Sequence, residues 1–96
     1  MIEDRKAIEA IIARQFASLA WTPGTSGDWS AFAQDFFPGA ALFAAGRPAK
    51  SQNVDDFLTR MKGLAQTSLG SFHEEVLGVN VSIFGNVAIA AAGCRI

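Results

Sequence analysis

The stretch VSIFGNVAIAAAGCRI, residues 81–96, decides the fold. It reads as a strand, a tight turn and a second strand that stops with the chain. Gly85 and Asn86 both accept positive φ, so FGNV supplies a two-residue hairpin turn. Working back from the turn, His73, Glu75, Leu77, Val79, Val81 and Ile83 alternate with Glu74, Val76, Gly78, Asn80 and Ser82. That is the period of a strand, with the first set on one face. Beyond the turn, Val87, Ile89 and Ala91 take one face and Ala88, Ala90 and Ala92 the other. Both faces of the return strand are apolar or small, a pattern that calls for cover on each.

Upstream of the hairpin the spacing changes to that of helices. Ile8, Ile11, Ile12, Phe16 and Leu19 recur three and four residues apart and form one helical face. Glu3 and Asp4 suit the positive end of its dipole, and Arg5 can pair with Glu9 across one turn. TPGTSG ends this helix, because Pro and two Gly continue it only at a cost. Asp28 is placed to cap a second short helix, WSAFAQDFF, with Trp29, Phe32 and Phe36 on one side. Pro38-Gly39 closes it, AALFAAG follows as a short strand, and RPAKSQ returns as an irregular edge. A third helix starts after Asn53, its expected N-cap, with Asp55 and Asp56 in the first turn. Val54, Phe57, Leu58, Met61 and Leu64 or Ala65 make its apolar stripe, and SLGS closes it.

Ninety-six residues make one domain, 1–96, with no repeat or linker. Half the residues are hydrophobic and 18% charged, which places the chain among globular proteins. So apolar a small chain has surface to bury against a second one. The formal charge is -1 and the basic residues are scattered, which argues against nucleic-acid binding and against a polybasic membrane anchor. VAIAAAG is far short of the roughly 20 apolar residues of a membrane helix. Cys94 stands alone, so no internal disulfide is expected and a reducing cytoplasm suits the chain.

A helix, a second helix opening on DW, then FFPGAALFAAG, a third helix and FHEEVLGVNVSIFGNVAIAAAGCRI: this order resembles the NTF2-like (SnoaL-like) superfamily. The resemblance covers nearly the whole chain and rests on positions of fold rather than chemistry. It implies an α+β fold of the cystatin-like kind, a cone in which three helices pack on a curved antiparallel sheet around a pocket. It also implies two further strands after AAAGCRI. Their absence from this pattern points either to a longer parent chain or to a domain completed by a neighbour, and residual edges pair readily.

Candidate site residues are few. His73, the one histidine, is a candidate for proton transfer with Glu75 two positions along on the same face; the alternative is a wet, polar start to the strand. Asp35 offers a carboxylate to a pocket or stands solvated on its helix. Phe16, Trp21, Phe32, Phe43, Phe57, Leu77 and Val79 either line a small-molecule cavity or fill it as core. No metal site is expected, because one His beside Glu residues on opposite strand faces does not converge on an ion. No cofactor is expected either. Ketosteroid isomerase, of the same superfamily, uses a Tyr and a protonated Asp in its oxyanion hole. This chain has no Tyr, so that chemistry is not supported.

Two functions remain as expectations. One is a homodimerising module, paired through its sheet, that holds a small apolar ligand. The other is a small-molecule lyase, isomerase or cyclase with a His or Asp general base, resting on fold analogy.

Overall fold

The computed structural model describes residues 2–67 and 70–96. Its elements run α1 (Ile2–Leu19), α2 (Trp29–Gln34), β1 (Ala41–Phe43), β2 (Ser51–Asn53), α3 (Val54–Thr67), β3 (Glu75–Phe84) and β4 (Val87–Arg95). The chain is therefore α+β. Its strands form two separate antiparallel pairs, β1 with β2 and β3 with β4, where the resemblance implies one curved sheet. Each pair is short of the three strands that usually stand alone, so both depend on helices for cover.

Local chemistry sets the helix ends. The Asp28 carboxylate accepts the Ala31 N–H at 3.1 Å, and the Asn53 side chain accepts the Asp56 N–H at 2.7 Å. Both are N-caps of the expected kind. The second helix is shorter than its apolar pattern suggests, ending with Asp35 as C-cap rather than running on through Phe37. The stop expected at SLGS lies partly on residues 68 and 69, outside the described residues.

Between α1 and α2 the chain folds back tightly, and Asp28 N–H donates to the Ser18 carbonyl at 2.7 Å. A side chain at Gly27 would stand 2.7 Å from the Trp29 ring and 2.9 Å from that same carbonyl, so only glycine fits this crossing. Leu19, Phe32 and Leu58 then meet as the buried cluster, one from each helix, with Phe36, Phe57 and Phe72 packed around them. Trp21 lies beside this cluster, buried, stacked on Phe72 at 5.3 Å and edge-on to Trp29 at 5.8 Å. A two-way backbone bridge between Trp21 and Phe72, both bonds 2.9 Å, ties the end of α1 to the approach to β3.

The hairpin turn is made as the sequence requires, with one refinement. Gly85 has φ +59° and no residue other than glycine has positive φ among the described residues, so Gly85 alone carries the left-handed step. Glycine in the first central position and an ordinary second residue are the marks of a type II′ turn.

The strand before the turn departs from simple alternation. Leu77 is an extra residue: Val76 pairs with Cys94 and Gly78 with Gly93, leaving Leu77 without an opposite number. A bulge of this sort exchanges the faces on its two sides. Val79, Val81 and Ile83 turn inward toward α1, and Glu74 and Val76 share that inner face. His73, Glu75 and Leu77 are exposed. The expectation that Glu75 and Leu77 share a face with Val79 is therefore corrected, while His73 precedes the strand. Nor does Arg5 pair with Glu9: its guanidinium donates to the Val81 carbonyl at 2.6 Å, and among the described residues it forms no ion pair with Glu9. The carbonyl on the edge of β3 is the stronger claim on Arg5, because it is otherwise without a partner strand.

Candidate cleft between the first helix and the long hairpin

Where α1 lies across the start of β3 there is a cleft of about 230 Å³, lined by Glu9, Ile12, Ala13, Phe16 and Ala17 from the helix and by His73, Glu74, Val76 and Val79 from the strand side. Its making follows from two periodicities. The helical stripe supplies Ile12 and Phe16 one turn apart, and the bulge at Leu77 turns Val76 and Val79 toward the same space. The result is an apolar floor with two carboxylates and one imidazole in its lining, the usual composition of a small-molecule site.

Glu74 is half-buried in this cleft, while His73 and Glu9 are exposed. Glu74 also acts on the neighbouring strand, where Cys94 pairs with Val76. Partial burial chiefly, and the nearby Glu74 carboxylate second, push the Cys94 thiol above its ordinary value.

The other candidates are dispersed. Asp35 receives two hydrogen bonds from Arg14 of α1, at 2.7 and 2.9 Å. These bonds hold its carboxyl below the usual range, against the opposing effect of partial burial. Glu75 accepts from Arg95 at 2.7 Å on the outer face of the hairpin, away from Val79. Trp21 and Phe32 are buried and Phe57 packs on their cluster, so these three fill space. Phe43 and Leu77 are 65% and 57% exposed and stand in solvent, whereas Phe16 and Val79 do line the cleft.

Glu9, Glu74 and Arg14 escape a sequence reading for different reasons. Glu9 reads as the wet side of a helix, and Arg14 meets Asp35 across 21 positions with no periodicity to announce it. Glu74 was findable, because a lone glycine inside a strand pattern, here Gly78, is a bulge signal. Among the described residues no three His, Cys, Asp or Glu side chains gather in a way that could hold a metal ion. Among them, too, no helix is long and apolar enough to cross a membrane.

No family model, no curated protein and no solved structure matches the chain.

Proposed function

We propose that the chain is an NTF2-like domain that associates as a homodimer through its β3–β4 sheet and holds a small apolar ligand between α1 and β3. The observation that carries this reading is β4. Val87 and Ile89 are 62% and 63% exposed on one face, and the alanines of the other face are exposed as well. Phe84, across from Val87, is 64% exposed and extends the same apolar patch. A contiguous patch of this kind marks an interaction surface. The lone cysteine supports a cytoplasmic setting. The cone and its closing strands remain what the resemblance implies.

For the ligand, the cleft supplies Ile12, Phe16, Val76 and Val79 as walls and few polar groups to fix orientation, which suits an apolar molecule of modest size. Nile red, a neutral apolar dye, is the probe. Saturable binding of one dye per chain is expected, and Ala13→Phe, which fills the cleft from an exposed helical position, should weaken it on the order of tenfold. Binding unaffected by Ala13→Phe would remove the cleft from the account.

His73 standing with Glu9 and Glu74 around the cleft favours a second reading, a lyase, isomerase or cyclase with His73 as general base. Asp35 is the poorer candidate, because an acid whose carboxyl is pulled down by Arg14 is a weaker base. Turnover of hydroxy-aromatic compounds followed by absorbance, lost in His73→Gln, is the expected result of this reading. No turnover by the wild-type protein would sink it.

A further inference from the structure

The lysines and arginines stand singly in the sequence, yet the fold gathers three of them. Between the β1–β2 loop and α3 lies a hollow of about 450 Å³ whose lining includes Arg47, Lys50 and Arg60 and no Asp or Glu. Its neighbours have the opposite sign. The hollow beside Gly39 and Asn53 is lined by Asp56, and the α1–β3 cleft by Glu9 and Glu74, neither with any Lys or Arg. The two signs are thus separated on the surface of a chain whose formal charge is only -1.

Short-range structure holds the three cations around this space. Leu42 pairs with Gln52 and Phe43 with Ser51, so the loop that carries Arg47 and Lys50 closes over a short ladder. Asn53 ends β2 and caps α3 through the Asp56 N–H, which sets the start of the helix against the strand pair. Leu58 and Met61 then anchor α3 in the core and leave Arg60 on its exposed side.

None of these three cations forms an ion pair among the described residues, where the pairs are Arg14 with Asp35 and Arg95 with Glu75. Asp56 has the helical spacing to pair with Arg60, but it lines the neighbouring hollow instead. Three like charges around one concavity repel each other and focus a positive field into it. An anion that enters is attracted by all three and relieves that repulsion.

We propose that this hollow binds a phosphorylated small molecule of the sugar-phosphate kind. Two arginine forks match phosphate oxygens, and the lysine adds a point charge. A volume of about 450 Å³ exceeds what one phosphate group needs, so the rest of the ligand lies inside as well. Ser51 and Gln52 supply neutral donors and acceptors for its hydroxyl groups, and Ala44 and Pro48 a small apolar wall. The hollow shares no residue with β4 or with the α1–β3 cleft, so it stands or falls apart from the function proposed above.

Glucose-6-phosphate is the probe, titrated into the isotope-labelled chain at low salt and followed by amide shifts in NMR, with glucose and inorganic phosphate as references. Saturable shifts are expected at Gly46, Lys50, Ser51 and Arg60, tighter for the sugar phosphate than for phosphate and absent with glucose. Arg47→Gln and Arg60→Gln should each weaken binding on the order of tenfold. Lys62→Gln removes an equal charge from an exposed position of α3 outside the hollow and should leave binding unchanged. All three substitutions fall at exposed positions, so each variant keeps the fold, and its amide spectrum away from the hollow checks this. The proposal is overturned by shifts that do not saturate or that spread over the surface. It is overturned equally by phosphate binding as tightly as the sugar phosphate, or by Lys62→Gln weakening binding as much as Arg60→Gln.

Discussion

Asp35 shows how one residue changes meaning between sequence and structure. On the page of letters it is an acid among aromatics, open to a catalytic reading. In the molecule it is the fixed point by which α2 is held to α1, with Arg14 donating from two nitrogens. Because its folded pKa lies below the unfolded value of 3.8, its contribution to stability is complete above the ordinary carboxylate range. It is lost as pH falls through the depressed folded value, where both states become protonated. Asp35→Asn should therefore lower the melting temperature at neutral pH, and the gap from wild type should close as the pH is taken down through the depressed folded value, below the ordinary carboxylate range. A gap that stays constant down the acid limb would mean that the ion pair contributes nothing. His73 is the converse case: it precedes β3, outside the alternation of the strand, and still reaches the cleft that Val79 lines.

At the scale of elements, signals carried by short-range chemistry were legible. Both N-caps, the turn glycine and the α3 stripe follow from residues within a few positions of one another, so the sequence contains all the relevant partners. Asn53 illustrates the strength of such a signal. Asn53→Ala removes the acceptor for Asp56 N–H and should cost about 1 kcal/mol, read from the urea midpoint at unchanged slope. An unaltered midpoint would show that the cap is redundant with water. The bulge at Leu77 marks where this legibility weakens. Strict alternation gave Glu75, Leu77 and Val79 one face, and a single unpaired residue moved the first two to the other. Gly78 was the available clue. The aromatic residues divide similarly: whether Phe57 or Phe43 is covered depends on where distant elements pack, which periodicity alone does not state.

For the whole molecule, the α+β order was legible and the separation of its strands into two pairs was not, since pairing across distant segments leaves no local mark. The radius of gyration is 14.3 Å, above the roughly 12.5 Å usual for this length, as a hairpin reaching beyond its helices would make it. Apolar surface that a single chain leaves in water is surface a second chain gains by covering. The claim that β4 is completed by a paired strand is tested most directly by amide hydrogen exchange, resolved by NMR at micromolar to millimolar concentration. Paired β4 edges protect the outward amides of Ala88, Ala90, Ala92 and Cys94 about as well as those of Ile89 and Ala91, which face β3. Alternating exchange along β4, with the first four near unfolded rates and the inward ones protected, would contradict it.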